Sequence, residues 1–86
     1  MALKKLNSGI LELDIHGMNA YQAKTCIDGV LKKADRSIYR IRIIHGYRGG
    51  TALKEMVYQE YQGHPKVIRL EGGWNEGTTD VVLREL

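Results

Sequence analysis

Two short runs of this chain alternate apolar and polar residues, each ends at a His-Gly pair, and each leads into a stretch whose apolar residues recur every three or four positions. From Ile10 to Ile15, Leu11, Leu13 and Ile15 fall on one side and Glu12 and Asp14 on the other. A period of two means a strand. Tyr39 to Ile44, read as Tyr-Arg-Ile-Arg-Ile-Ile, is a second. Between them Asn19 can accept from the first free amides of a helix, with Gln22 placed to return the bond. Ala23, Ile27, Val30, Leu31 and Ala34 then form one helical stripe. Gly29 weakens that helix by ~1 kcal/mol relative to Ala without breaking it.

After His45-Gly46 comes a glycine-bearing loop, Tyr47-Arg48-Gly49-Gly50, and Thr51 is placed to cap a second helix. Leu53, Met56, Val57 and Tyr61 give its buried face, and Gly63 and Pro65 end it. Val67 to Glu71 is a third strand, Gly72 to Gly77 a loop carrying Trp74, and Thr79 to Leu86 a fourth strand. The order β-α-β-α-β-β implies a parallel crossover followed by an antiparallel pair. The expected fold is α/β, an α+β sandwich: a mixed four-stranded sheet with two helices on one face or both. Residues 1–8 are read as a flexible N-terminal segment before a single domain, 9–86.

With 86 residues, one domain is the limit, and a charged fraction of 27 % beside 43 % apolar residues excludes disorder as the default. Cys26 is the lone cysteine, which excludes an internal disulfide and thiol-rich zinc sites. Lys4 and Lys5 have no long apolar core behind them, so no signal peptide is read, and no apolar run approaches a membrane span. The expected setting is a reducing cytoplasm. The net charge of +3 permits phosphate partners without demanding them.

The two strand ends echo one another: Asp14-Ile15-His16-Gly17 and Ile43-Ile44-His45-Gly46. In parallel α/β units ligands bind at the carboxyl ends of strands, where helix N-termini offer free amides to phosphate. If the strands are neighbours, Asp14, His16 and His45 share one rim of the sheet.

These residues also carry a family resemblance. Leu13-Asp14-Ile15-His16-Gly17 resembles the L-D-L-H-G motif of the Smr (small MutS-related) domain. Ile43-Ile44-His45-Gly46, with its glycine loop and Leu53-Lys54, resembles the second motif, H-G-x-G-x-G followed by Leu-Arg. Gly77-Thr78-Thr79-Asp80-Val81-Val82-Leu83 resembles the closing G-x-T-x-V-x-L strand. The match runs from about Leu11 to Leu86. It implies a sandwich like the C-terminal domain of a translation initiation factor, binding of DNA or RNA, and in several relatives endonuclease activity, often without an added metal. Some relatives act at stalled ribosomes. The second motif departs from the pattern in being about one residue longer, with Arg48 near a usual glycine position, where it offers a guanidinium instead.

Each candidate has a functional and a bland reading. His45 is a base for a hydroxyl or water attacking a phosphodiester, or the cap of a strand-to-helix turn. Asp14 orients a histidine or an attacking water, or caps the turn at Gly17. His16 is a second proton-transfer group, or a ring that fixes the turn. Arg48, Lys54 and the amides from Gly49 to Thr51, beside Gly46, form a phosphate cradle or a solvated loop. Tyr47 and Trp74 stack on bases, or Trp74 covers the core. Arg40 and Arg42 line a basic surface, or are the solvated face of the sheet. His64 reads as structural or solvent-facing, and Cys26 as a small packed group. Two histidines and an aspartate evoke a facial metal triad, but the spacing does not support one and no metal or cofactor is expected. Three functions follow: a metal-independent nuclease, a non-catalytic module for structured nucleic acid or the ribosome, and a protein-interaction domain.

Overall fold

Alternation at period two gives a strand one apolar face, and a five-stranded sheet assembles here around one core. The computed structural model of the chain describes residues 2–73 and 75–85. Its elements are β1 (Ala2–Lys5), β2 (Ile10–Asp14), α1 (Ala20–Lys33), β3 (Arg40–Ile44), α2 (Ala52–Tyr61), β4 (Arg69–Gly72) and β5 (Thr78–Val82). They form one mixed sheet of order β1-β2-β3-β5-β4. Only β2 and β3 are parallel; the other pairs are antiparallel.

The sheet has five strands, one more than the alternation predicts. The addition is β1, which lies in the N-terminal segment and pairs with β2, Leu3 opposite Leu13 and Lys5 opposite Leu11. Leu3-Lys4-Lys5-Leu6 does not alternate cleanly, so it carries no period-two signal. Asn7 turns the chain between the two strands, its Oδ1 accepting from the amides of Gly9 (2.8 Å) and Ile10 (3.0 Å).

Register sorts the side chains. Leu13, Ile41, Ile43 and Val81 share one face. They join Ala23, Ile27, Val30 and Leu31 of α1 and Met56, Val57 and Tyr61 of α2 in a single buried cluster. Both helices therefore cover the same face. Tyr61 is fully buried, yet its hydroxyl donates to Asp28 Oδ1 at 2.6 Å, tying α2 to α1. Burial, with Asp28 adding to it, pushes that hydroxyl's pKa well above its ordinary value.

The opposite face is covered by charge rather than helix. Asp80, 5 % exposed, accepts from Arg40 Nη1 (2.7 Å) and Arg42 Nε (3.3 Å), and Arg40 also reaches Glu71 at 2.8 Å. The charge of both arginines is thus matched by carboxylates on this face, and Arg42 also reaches the cleft at the end of the sheet.

Candidate functional site

Because β2 and β3 run in parallel, their exits lie at the same end of the sheet. The start of β5 joins them, since it runs antiparallel to β3. Three segments therefore converge: 15–19, 45–51 and 75–77. They enclose a cleft of about 740 Å³ that His16, His45, Tyr47, Arg48, Gly49 and Leu53 help to line.

The first loop is fixed by Asp14. Its Oδ1 accepts from the backbone amide of His16 at 3.1 Å and pairs with the same residue's Nδ1. One carboxylate oxygen thus sets both the turn and the ring, and Gly17, at φ +83°, lets the chain double back. The His16 side chain is 68 % exposed. With Nδ1 held by the carboxylate, Nε2 is the ring atom left for a substrate.

His45 is placed differently. The register sets Asp14 beside Ile44, and the amide of Ile15 continues the ladder to the Ile44 carbonyl at 2.9 Å. Ile15 rather than His16 therefore stands next to His45, and His16, one residue further on in the turn, lines the same cleft from the first loop. His45 is 5 % exposed, with both ring nitrogens engaged. Nδ1 lies 2.9 Å from the Gly46 carbonyl and Nε2 2.8 Å from Thr79 Oγ1. A carbonyl only accepts, so Nδ1 carries the hydrogen and Nε2 accepts from the Thr79 hydroxyl. Burial lowers the pKa of this ring, the nearby Lys54 ammonium adds to the effect, and the bond to Gly46 opposes it.

The closing motif clamps the second. The Gly77 carbonyl accepts from the amides of His45 (2.9 Å) and Gly46 (3.0 Å), and Asn75 Oδ1 holds the Gly77 amide at 2.8 Å. Gly46 has φ +75°, where a Cβ would also stand 3.4 Å from the His16 Cβ. The two His-Gly steps thus touch through a glycine. Thr79, Gly77 and Asn75 were not singled out from the sequence. Thr79 lies within the third motif, but nothing in a linear chain says that it faces an imidazole from a neighbouring strand.

The second loop exposes Tyr47, Arg48, Gly49, Gly50 and Thr51 and leaves Lys54 half-buried. Thr51 does not cap α2 as expected: at φ −113° its side chain makes no cap bond and instead donates to Glu55 Oε2 at 3.1 Å. The first amides of α2 therefore lack the side-chain acceptor that α1 has, where Asn19 and Gln22 bond reciprocally at 2.8 and 3.1 Å. Trp74 lies outside the described residues. His64 sits in the turn after α2, its Nδ1 accepting from the Lys66 amide at 3.0 Å. Cys26 is half-buried, its Sγ 3.9 Å from the Met18 sulfur. Among the described residues no group of three or more His, Cys, Asp or Glu side chains is placed to hold a metal, and no helix is long and apolar enough to cross a membrane.

Comparison with known proteins agrees with this fold. The family model of the Smr domain matches residues 13–84. An uncharacterized protein of Treponema pallidum is 32% identical over 92 residues, covering 94% of this chain and 46% of its own length. Endonuclease MutS2 of Carboxydothermus hydrogenoformans is 33% identical over 91 residues, covering 98% of this chain and 11% of its own length. The chain thus spans less than half of either relative. The crystal structure of the Smr domain of Thermus thermophilus MutS2 superposes with a TM-score of 0.75 at 25% identity, over 86% of this chain and 98% of that one. The three sequence motifs, the fold and these matches converge on one assignment: the chain belongs to the Smr domain family.

Proposed function

We propose that the cleft binds a nucleic-acid strand through its phosphates and cleaves it, with His16 as the proton-transfer group, Asp14 as its orienting carboxylate and His45 as a buried strut. The observation that carries this reading is the Asp14–His16 pair: a solvent-facing imidazole whose ring is aimed by a carboxylate two residues earlier. A carboxylate accepting from Nδ1–H fixes the tautomer that leaves Nε2 free to take a proton. Nε2 takes the proton of an attacking hydroxyl, the oxygen bonds to phosphorus, and the P–O bond to the leaving oxygen breaks as that oxygen is protonated from solvent. The uncapped start of α2, with Arg48 and Lys54, holds the phosphate. Tyr47, 52 % exposed at the cleft, offers a ring for stacking. The endonuclease name of the Carboxydothermus relative supports the same chemistry.

Of the two histidines, geometry favours His16 for proton transfer. His45 has no nitrogen to spare, and a second base would need one. End-labelled single-stranded RNA and DNA, incubated with the protein in the presence of chelator, test the reading. Cleavage by the wild type is expected to fall about 100-fold or more in His16→Ala, the usual range for losing a general base, while binding stays within a few-fold. Intact substrate with folded wild-type protein, or undiminished cleavage by His16→Ala, overturns it. Salt-sensitive binding without turnover would leave the docking module as the function.

A further inference from the structure

Between the β1–β2 edge and the later turns of α1 lies a second, mostly apolar groove of about 460 Å³, lined by Leu3 and Leu11 of the sheet, Cys26, Gly29 and Val30 of the helix, and Ile38 beyond it. We infer that this groove, together with the open edge of β1, is a docking site for an extended acidic peptide segment of a partner protein, which adds a strand to β1 and sets an apolar side chain over Gly29.

The edge supplies the backbone half. β1 is the outermost strand, and its pairing with β2 runs Ala2 to Asp14, Leu3 to Leu13, Lys4 to Glu12 and Lys5 to Leu11. The Leu6 amide donates to the Ile10 carbonyl at 2.9 Å. Bonded pairs alternate in an antiparallel ladder, so Lys4 and Ala2 bond inward while the N–H and C=O of Leu3 and Lys5 face outward. Those groups are what a strand-adding peptide uses. The side chains of Leu3 and Lys5 lie on the helix side of the sheet, at the groove, and Leu3 is 48 % exposed.

Gly29 supplies the pocket. A glycine inside a helix costs stability, and here the fold does not require it: a Cβ at Gly29 would meet nothing within 4 Å. Its absence keeps the groove open beside Cys26 and Val30.

Charge selects the occupant. Lys5 on the strand wall and Lys33 on the helix wall face the groove from both sides. Neither forms an ion pair with a described carboxylate. Asp35, also at the groove, accepts from the Ser37 amide (2.8 Å) and hydroxyl (2.5 Å) and feels the charge of Lys5 without forming an ion pair with it, so two lysines against one carboxylate leave the groove net positive. A second copy pairing β1 with β1 would bring Lys4 and Lys5 of both chains together, which edge lysines resist. Lys33 lies on the helix, so edge protection does not account for it. An aliphatic lipid tail would fill the groove but leave the strand edge without partners. An extended peptide with an apolar anchor and flanking carboxylates meets all three features.

The test is selection from a displayed library of random heptapeptides, run in parallel on the wild type and on Gly29→Leu, which fills the groove from an open helix position. A Tm for Gly29→Leu at or above that of the wild type shows that the fold is kept. The expected result is enrichment of peptides bearing one apolar residue between Asp or Glu residues. A synthesised winner should then lose at least ten-fold in affinity on Gly29→Leu and on the double variant Lys5→Glu, Lys33→Glu, and should shift the Leu3 and Lys5 amide resonances. No enrichment over Gly29→Leu, enrichment without acidic bias, or concentration-dependent dimers abolished by Gly29→Leu would each overturn the inference. Cleavage of RNA or DNA is read separately, and its presence or absence does not bear on the outcome.

Discussion

At His45 the burial that keeps the ring neutral also makes folding sensitive to acid. The unfolded chain takes up a proton on this residue near the ordinary value of 6.5, while the folded chain resists until lower pH. Below 6.5 the unfolded state binds more protons, so stability is full above that value and is lost as pH falls through the lowered folded value. Urea midpoints measured across this range should fall with acid in the wild type and change less in His45→Gln. The lowered Asp28 and Asp35 carboxyls act only at more acid pH, below their ordinary value of 3.8. His45→Ala should cost roughly 2–4 kcal/mol, because it opens a cavity and removes the acceptor of a buried hydroxyl. Thr79→Ser keeps the bond to Nε2 and should fold nearly as well as the wild type, whereas Thr79→Val removes its donor and should cost about 1–2 kcal/mol by the same measurement. The pairing of Asp14 with His16 was legible in the sequence, since two residues of spacing suffice for a carboxylate to reach a turn. The one-residue offset between the two His-Gly steps was not. It depends on the pairing register of β2 and β3, which the repeated step conceals.

Helix ends show the same divide. The Asn19–Gln22 box could be read from spacing because both partners sit within one turn, and it forms as expected. Thr51 has the right residue type at the right position and still does not cap, because its hydroxyl reaches Glu55 one turn on. Asn19→Ala should therefore cost about 1 kcal/mol of stability by chemical denaturation, and Thr51→Ala should change it by less than about 0.5 kcal/mol. Thr51→Asp separates stability from function. A carboxylate at that end favours the α2 dipole, so the fold should hold or gain slightly, while the same charge occupies the place proposed for a phosphate and should weaken nucleic-acid binding several-fold. Equal binding by Thr51→Asp and wild type would remove the start of α2 from the interface. The strand β1 shows a further limit: four residues with two adjacent lysines carry no periodicity, and only the sheet edge that β2 would otherwise leave bare calls for them.

Across the whole molecule, the question is which of the 13 Lys and Arg residues can meet a phosphate. A net charge of +3 says little, because the arginines are unequal. Arg40 and Arg42 are spent on Asp80 and Glu71, and Arg69 on Glu71 and Glu85. At the cleft, Arg48 and Lys54 make no ion pair with a described carboxylate. Releasing counterions from single-stranded nucleic acid gives a slope of log affinity against log salt of about 0.7 per phosphate neutralised. Arg48→Ala and Lys54→Ala should therefore each weaken binding and flatten that slope by close to one contact, with unfolding midpoints little changed. Arg40→Ala should do the reverse. It leaves the nearly buried Asp80 with the longer Arg42 contact alone, so stability should drop by roughly 2–4 kcal/mol while the salt slope of the folded protein stays as it was. Fluorescence anisotropy over a salt series, paired with denaturation of the same variants, measures both. A slope that responded to Arg40 and ignored Arg48 would move the phosphate path from the loop rim to the open face of the sheet.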